Sequence, residues 1–412
     1  MTAAGRAGAS AHQVLATLGY GDAIGNEVLG IQRALRAAGF TSDIFVETVD
    51  PRLEHLTRDY RDLIGGLDAA DLLIHHFSIG SRASRVAYAL PNRMVLVYHN
   101  ITPPEYFVGV HALLAQLCFM GRRELGAYRD RCVLALGDSA FNRAELDRLG
   151  FAATGVLPVV PDFSHLDAEP NRFVAREFDD DRTNLLFVGR VIPNKRFEDL
   201  IRIHHAYRTL YDPGARLLLV GSYSGFEWYL TMLQAMAGRL GARDVYFAGH
   251  VSNEELVAYY EVADLFLCAS EHEGFCVPLV EAFYARVPVV AYAAAAVPAT
   301  MDGGGLLYDT KDPRQVASLL RAVLSDDGVY RGVLASQDAA LTRLRGRDFA
   351  GTLLGFVERA LAAPAETRHA VAADFWEQVR VEEHYEHLRE HRPALYQALP
   401  KEQDVARSRE DR

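Results

Sequence analysis

Cysteine, tryptophan and long apolar runs are scarce in this chain, which has 4 cysteines and 2 tryptophans among 412 residues. No apolar run approaches the ~18 residues of a membrane-spanning helix, so we expect no transmembrane segment. The first residues contain one arginine and no uninterrupted apolar core, so we expect no secretory signal peptide. The cysteines lack short paired spacing, which predicts reduced, mostly buried thiols in a cytoplasmic protein: Cys118, Cys132, Cys268 and Cys276.

Positive charge is also in short supply. The chain has 43 Lys and Arg residues against 54 Asp and Glu, a net charge of -11. A nucleic-acid partner requires a basic field, so this balance argues against nucleic-acid binding. Half of the residues (50%) are hydrophobic, as in globular proteins. The length exceeds the ~250 residues at which single cores usually stop growing, which favours two domains.

Short apolar segments alternate with amphipathic helices in both halves of the chain. Strands are predicted over 12–18, 42–46, 71–75, 94–98 and 133–136, and again over 184–188, 216–220, 245–248, 263–269 and 287–292. Between Pro158 and Arg182 the alternation gives way to prolines and acidic runs, which predicts a domain junction. We therefore predict an α/β protein with two doubly wound, mostly parallel sheets facing a cleft, over 1–165 and 183–371.

Two carboxylates in the second half, Glu273 and Glu281, lie eight positions apart with Gly274 and Pro278 between them. The pattern around them predicts strand, loop, helix and strand, with Pro278 in the first helical turn. The loop places Glu273 at the carboxyl end of a strand, and Glu281 lies near the free backbone N–H groups of the helix start. This arrangement favours a ligand that carries phosphate and hydroxyl groups.

A glycine-bearing turn follows the first predicted strand. Gly19, Gly21 and Gly25 have the spacing G-x-G-x-x-x-G, and Glu47 ends the next strand. This resembles a dinucleotide fingerprint but lacks its tighter spacing, and such turns more often serve as strand-to-helix connections. A dinucleotide-dependent oxidoreductase therefore stays open as a less favoured alternative.

A basic loop opens the second half. A predicted strand ends at Gly189, and Arg190 and Lys195 flank a Pro-Asn turn before the next helix. Two cations at the carboxyl end of a strand could converge on one diphosphate, since each charge-assisted hydrogen bond contributes roughly 1.5–3 kcal/mol. Taken alone, a solvated basic turn is the more common explanation of such a loop.

Together these segments resemble the retaining GT-B glycosyltransferases of family four (glycosyl transferases group 1), typified by sucrose-phosphate synthases and by mannosyl- or glucosyltransferases. The segments that match in order and spacing are FVGRVIPNKRFEDLI, LLLVGSYSG, FAGHVSNEELVAYYEVADLFLCAS and EHEGFCVPLVEAFYARVPVVAY. The strong match covers about Asn184 to Asp309. The first half matches more loosely, through GYGDAIGNE and VYHNITPPEYF.

The resemblance implies roles in the second domain. Glu281 would accept hydrogen bonds from the ribose hydroxyls of a nucleotide, and Glu273 would face the transferred sugar. Arg190 and Lys195, after Gly189, would neutralise the diphosphate of the donor. The loop after Glu273 would offer backbone N–H groups to the sugar or phosphate, from Gly274, Phe275, Cys276 and Val277.

Further roles follow for residues on other strands. His250 and Val251 would lie near the base, His99 would extend across the cleft to the donor sugar, and Gly21 would let the first domain approach the phosphates. The resemblance also implies that the helix predicted over 374–399 packs back on the first domain. The charged tail over 400–412 is expected to be disordered.

The implied reaction is transfer of a sugar from a UDP- or GDP-linked donor to a hydroxyl acceptor with retention, by front-face attack and without metal or other cofactor. The acceptor would be a glycan, a glycolipid or a natural-product intermediate. Cations and a helix start would stabilise the leaving diphosphate. Because the implied attack is on the front face, no nucleophilic carboxylate is required. Cys276 replaces a frequent glycine and Ala299 a frequent glutamate. A GT-B sugar-nucleotide epimerase is the main alternative, and it would need further carboxylates in the cleft, of which the sequence shows no clear set.

Three weaker patterns have structural alternatives. His384, His387 and His391 could bind a metal on one helical face, but a solvated polar face is favoured. His75 and His76 could line the acceptor cleft or simply end a buried strand. The apolar stretch over 106–119, followed by basic residues up to 131, could touch the inner face of a membrane, but a core-facing stripe through Phe107, Val110, Leu114 and Leu117 is favoured.

Overall fold

The first domain is built on a parallel sheet of seven strands. The computed structural model describes residues 9–159, 162–364, 390–391 and 393–398. The strands are β1 (Ala11–Leu18), β2 (Ile44–Val49), β3 (Thr57–Asp59), β4 (Leu72–Phe77), β5 (Arg93–Tyr98), β6 (Leu134–Gly137) and β7 (Thr154–Val156). They are arranged in the order β3-β2-β1-β4-β5-β6-β7. Every pair is parallel, and Gln13 lies opposite both Ile44 and Ile74.

The second domain repeats this plan with six strands. These are β8 (Asn184–Val188), β9 (Arg216–Val220), β10 (Val245–Gly249), β11 (Leu265–Cys268), β12 (Val289–Tyr292) and β13 (Leu306–Tyr308). Their order is β10-β9-β8-β11-β12-β13, again all parallel. The order reverses between β1 and β4 in one sheet and between β8 and β11 in the other, and ligands of such sheets bind at these switch points. The predicted fold class is confirmed.

Helices cover the two sheets. In the first part of the chain they are α1 (Ala23–Ala37), α2 (Arg82–Ala89), α3 (Ala112–Ala127), α4 (Ala140–Arg148) and α5 (Arg172–Phe178). The second domain has α6 (Phe197–Leu210), α7 (Glu227–Leu240), α8 (Asn253–Glu261), α9 (Val277–Tyr284), α10 (Val297–Met301), α11 (Pro313–Ser325) and α12 (Asp327–Arg345). Two further helices among the described residues are α13 (Phe349–Ala362) and α14 (Pro393–Ala398). Short 3-10 turns lie at Pro51–Leu56, Tyr60–Leu63, Pro104–Phe107, Tyr128–Asp130, Ser164–Asp167 and Pro193–Lys195.

Helix α13 packs on the first domain, although it follows the second in sequence. Its buried residues Leu353, Val357 and Ala360 share one apolar cluster with residues of the first sheet such as Leu72 and Val95. The chain therefore crosses back between α12 and α13. The helix predicted over 374–399 to make this return lies outside the described residues, except for 390–391 and 393–398, and so does the tail over 400–412.

The apolar segment before the basic residues is divided between core and surface. Phe107 is buried and Val110 and Leu114 pack against the core, whereas Leu113 is 60% exposed and Leu117 39% exposed. The core-facing stripe therefore ends before Leu117. Within the part of the chain that the structure describes, no helix has both the length and the apolar character that crossing a membrane would require.

Candidate functional site

Residues of both domains line one cleft of about 340 Å³ between the two switch points. Most predicted site residues line it: Gly21, His99, Lys195, Glu273, Gly274, Phe275, Cys276, Val277 and Glu281. Gly189, Arg190, His250 and Val251 do not line this cavity. Arg190 and His250 are exposed, and the Arg190 guanidinium carbon lies 5.8 Å from the ring centre of Phe226.

The Lys195 and Glu273 side chains form an ion pair on the second-domain side. The Lys195 nitrogen lies 2.5 Å from each Glu273 carboxylate oxygen, in loops that follow β8 and β11. Burial opposes the ammonium charge, but the Glu273 carboxylate outweighs it and raises the pKa of Lys195. A solvated basic turn therefore does not describe Lys195, whose side chain is only 17% exposed.

Glu281 is fixed by two donors. His165 Nε2 lies 2.9 Å from one carboxylate oxygen, and the Tyr260 hydroxyl donates to the other over 3.0 Å. The hydrogen bond to Glu281 raises the pKa of His165, partly opposed by burial. Each carboxylate oxygen has a second lone pair, so Glu281 retains acceptor capacity toward the cleft.

Helix α9 begins at the same cleft. Pro278 lies in the first turn of the helix, as predicted. Cys276, the residue before the helix, has a left-handed backbone conformation with φ 76°. No side chain caps the start of this helix, and Phe275, Cys276 and Val277 at that start line the cavity. The first N–H groups of the helix and the helix dipole favour an anion here.

On the first-domain side, His99 lies between acidic groups. Its Nδ1 is 3.1 Å from Asp138 Oδ2 and 3.7 Å from Glu27 Oε2. Burial opposes the ring charge, but Asp138, with smaller contributions from Glu27 and Asp22, raises the pKa of His99 to about 9. Burial and the Asp138 charge raise the pKa of Glu27 to about 8. Among the described residues, Glu27, His99 and Asp138 are the group of His, Cys, Asp and Glu side chains close enough together to hold a metal ion.

A buried amide and imidazole chain joins the two domains beside the cleft. His272 Nε2 is 2.7 Å from Asn100 Oδ1, and Asn100 donates to Asn142 over 2.8 Å. Asn194 in turn donates to the His272 carbonyl over 2.9 Å. Gly274 approaches the first domain so closely that a Cβ there would lie 2.7 Å from the His99 carbonyl oxygen. The loops carrying His99 and Glu273 are therefore in direct contact.

In the glycine turn over 19–25, Gly25 is required for packing. A Cβ at Gly25 would lie 2.3 Å from the Gly19 carbonyl oxygen, so the first turn of α1 needs glycine to pass β1. Glu47, the proposed dinucleotide-type carboxylate, instead binds Arg82, whose Nε lies 2.7 Å from it and whose backbone N–H lies 2.9 Å from it. This capping of α2 accounts for Glu47 without a dinucleotide.

The other predicted histidines have separate positions. His75 is buried and lies 3.2 Å from the Ser84 hydroxyl, and His76 is buried next to His99. Neither lines the cleft cavity. His384 and His387 lie outside the described residues, so the structure does not describe that candidate metal cluster.

Three important residues were not found from the sequence. Glu27 gave a signal, since a charged residue lies next to the apolar stripe of α1 and is only 7% exposed. Asp138 directly follows a buried strand, which is a position where polar side chains meet ligands. His165 lies in the junction, where no periodicity exists to place it.

Comparison with known proteins agrees with this architecture. Residues 169–335 match the family model described as Glycosyl transferases group 1. A D-inositol 3-phosphate glycosyltransferase of Xylanimonas cellulosilytica is 32% identical over 174 residues, which are 41% of this chain and 40% of that protein. The chain thus spans about two fifths of the length of such curated relatives.

Solved structures extend the similarity to both domains. Sucrose-phosphate synthase of Thermosynechococcus elongatus superposes with a TM-score of 0.64 at 19% identity, over 86% of this chain and 99% of that one. A trehalose-6-phosphate protein of E. coli bound with UDP-2-fluoro glucose gives a TM-score of 0.65 at 13% identity, over 86% and 100%. The fold is therefore GT-B, and the predicted resemblance to glycosyl transferases group 1 is confirmed.

Proposed function

We propose that this chain, whose residues 169–335 match glycosyl transferases group 1 and whose fold is GT-B, is a retaining glycosyltransferase. It would move a sugar from a UDP- or GDP-linked donor to a hydroxyl of a glycan, glycolipid or natural-product intermediate. The observation that carries this proposal is the shared cleft, where Lys195, Glu273 and Glu281 lie beside the start of α9 and face His99 of the first domain.

The leaving diphosphate would be stabilised by protein groups rather than by a metal ion. Lys195 is charged and half-buried, and the start of α9, which no side chain caps, lines the same cleft. Such donors are worth most in a partly dry site, where they need no reorganisation. Arg190 would contribute from the rim, after a movement of its exposed side chain toward the donor.

The two glutamates would contact different parts of the donor. Glu281, fixed by His165 and Tyr260, would accept hydrogen bonds from the ribose hydroxyls. Glu273 would face the transferred sugar while holding Lys195. The solved relative with bound UDP-2-fluoro glucose supports a nucleotide-sugar donor, and the curated relative named for D-inositol 3-phosphate supports a hydroxyl acceptor.

A panel of nucleotide sugars tests the proposal directly. A bound donor at 100 times its Kd stabilises the folded state by about 2.7 kcal/mol, which a thermal shift detects. The stabilising donor is then incubated with candidate acceptors, and the anomeric configuration of the product is determined by NMR. We expect release of the nucleoside diphosphate and an unchanged configuration. Failure of every UDP and GDP sugar to bind contradicts the proposal.

A sugar-nucleotide epimerase is the second candidate, because Glu27 and Asp138 provide further carboxylates in the cleft. Epimerase chemistry needs such groups to move protons on the sugar. The two functions differ when no acceptor is present: an epimerase converts the donor into its isomer, whereas a transferase leaves the configuration of the donor unchanged. An oxidoreductase would instead bind NAD(P)H tightly and ignore UDP and GDP, which a fluorescence titration reveals.

A further inference from the structure

The ring of His99 is fully enclosed by protein groups. Its side chain is 1% exposed, Nε2 lies 2.9 Å from His76 Nδ1, and Nδ1 lies 3.1 Å from Asp138 Oδ2. Its backbone carbonyl lies against the second domain, where a Cβ at Gly274 would be 2.7 Å from the carbonyl oxygen. A hydrogen bond from the ring to a sugar would therefore require one of these internal contacts to break.

Gln13 sets the direction of the hydrogen bonds that join Gln13, His76 and His99. Gln13 Nε2 donates to the Val28 carbonyl over 3.1 Å, so Gln13 Oε1 faces His76 Nε2 as an acceptor, 2.9 Å away. His76 therefore carries its hydrogen on Nε2. Complete burial keeps His76 neutral by lowering its pKa far below the usual value. Its Nδ1 is then an acceptor, and the His99 Nε2 must donate to it.

The other nitrogen of His99 faces Asp138. Asp138 Oδ2 lies 3.1 Å from Nδ1, and an ionised carboxylate has no hydrogen to give, whereas Glu27 Oε2 is 3.7 Å away and too distant for a hydrogen bond. Nδ1 must then also carry a proton, which makes the ring an imidazolium. The second oxygens of both carboxylates, Glu27 Oε1 and Asp138 Oδ1, are buried without a hydrogen-bond partner. Negative charge on both carboxylates at once is unfavourable this close together, which is reflected in the pKa of Glu27, raised to about 8, and a cation beside them opposes that effect.

We propose that Gln13 and His76 are positioning residues that fix His99 as a permanent imidazolium, which in turn holds Asp138 and Glu27 together in the floor of the donor cleft. His99 would then act through its charge and its backbone carbonyl, and not through a hydrogen bond from its ring to the sugar. The effect on turnover rests on the proposed transferase function, whereas the charge and tautomer of the rings do not.

Titratable groups face the ring from every element packed around it. They are Asp138 after β6, Glu27 and Asp22 of α1 and its cap, and His75 and His76 of β4. The carboxylates favour the imidazolium and the neutral histidines do not compete for its protons. The ring should therefore stay charged at neutral pH and lose its proton near pH 9, the raised pKa of His99.

The test is NMR of the ring nitrogens in the full chain, labelled with ¹⁵N-histidine and treated with EDTA. The His99 signals are assigned by their loss in His99→Asn. We expect both His99 nitrogens to carry hydrogen at pH 7.5, and His76 to be neutral with its hydrogen on Nε2. A neutral His99 ring at pH 7.5 overturns the proposal. So does binding of added Zn²⁺ at Nδ1 with micromolar affinity, because the cluster then holds a metal ion instead of a proton.

Variants connect this charge to turnover. Asp138→Asn should move the loss of the His99 proton to lower pH by at least one unit, and the alkaline limb of the activity profile should move with it. His76→Leu, which removes the acceptor for Nε2, should lower turnover about tenfold, and His76→Asn, which restores an acceptor oxygen, should recover most of it. The matched control is His75→Asn, a buried neighbour on the same strand, which should stay within about twofold. Equal losses in His75→Asn and His76→Leu, or no recovery in His76→Asn, contradict the positioning role.

Discussion

The ammonium nitrogen of Lys195 lies 2.5 Å from both carboxylate oxygens of Glu273. This contact joins the loops after β8 and β11 at the switch point of the second sheet. In the free protein, the cation that we propose for the diphosphate is thus held by the carboxylate that we propose for the sugar. A donor that enters the cleft must share Lys195 with Glu273 or draw it away, so the pair couples binding of the two parts of the donor.

Replacement of Glu273 by glutamine should therefore separate turnover from nucleotide binding. Turnover should fall by about 10²-fold, because a preorganised group at the reacting sugar is lost. The Kd for bare UDP or GDP should stay the same or decrease, since Lys195 no longer has a competing carboxylate. Calorimetric titration and steady-state kinetics measure the two effects.

Glu281→Gln is the matched control for that experiment. It should weaken bare nucleotide binding by about tenfold, or about 1.4 kcal/mol, because the ribose loses a charged acceptor. A rise in the bare nucleotide Kd of the same size in both variants contradicts the division of the donor between the two glutamates.

The two basic residues of the β8 loop should differ in their effect on stability. Lys195→Ala leaves the Glu273 carboxylate, whose side chain is 7% exposed, without its partner and should lower the free energy of unfolding by about 1–3 kcal/mol. Arg190→Ala removes an exposed side chain and should change it by no more than about 0.5 kcal/mol. Both should reduce turnover at saturating acceptor. Urea unfolding with parallel kinetics tests this, and near-normal activity in either variant removes that residue from the diphosphate assignment.

The His165 pair with Glu281 should give a pH-dependent contribution to stability. Because the folded-state pKa of His165 is raised, the pair stabilises the protein fully below the unfolded value of about 6.5, and this stability is lost as pH rises through the raised pKa. His165→Ala should therefore lower Tm more at pH 5.5 than at pH 9. Thermal unfolding at both values, with His205→Ala on the partly exposed face of α6 as control, measures the difference. The same decrease in Tm at both pH values would show that the pair contributes no charge interaction.

The fold was predictable because buried parallel strands are continuous apolar runs. Ten predicted strands correspond to ten strands of the structure with ends shifted by a few residues. The three strands that sequence analysis did not find, Thr57–Asp59, Thr154–Val156 and Leu306–Tyr308, have 3 residues each and lie at sheet edges. Segments this short contain too few residues to show a period.

The site was predictable only where short continuous motifs carry it. Lys195, Glu273 and Glu281 lie within motifs whose spacing survives in the sequence, and the structure brings all three to one cleft. His165 and Tyr260, which hold Glu281, come from positions 116 and 21 residues away and share no local pattern with it. The enclosure of His99 likewise depends on three strands and a helix, so its charge state follows from tertiary packing alone.

Gly274 should be the most sensitive glycine of the cleft. A Cβ at Gly274 would lie 2.7 Å from the His99 carbonyl oxygen and 3.1 Å from the Asn100 Cβ, so one of the two loops would have to shift. Gly274→Ala should therefore lower the free energy of unfolding by about 1–3 kcal/mol, as overpacking does. It should also lower kcat/KM about tenfold, since displacement of the reacting groups by about an ångström is costly.

The control for Gly274→Ala is Gly355→Ala in α13. Gly355 has no atom within 4 Å of its added Cβ, and its replacement should stabilise the helix by about 0.5–1 kcal/mol without affecting kcat/KM. The comparison separates the gain in stability from the lower backbone entropy of alanine in the unfolded chain from the loss in stability caused by steric crowding at Gly274. If Gly274→Ala behaves like Gly355→Ala, the loops of His99 and Glu273 are not held in contact in solution, and the donor must then bind to a more open cleft whose two halves close only around it.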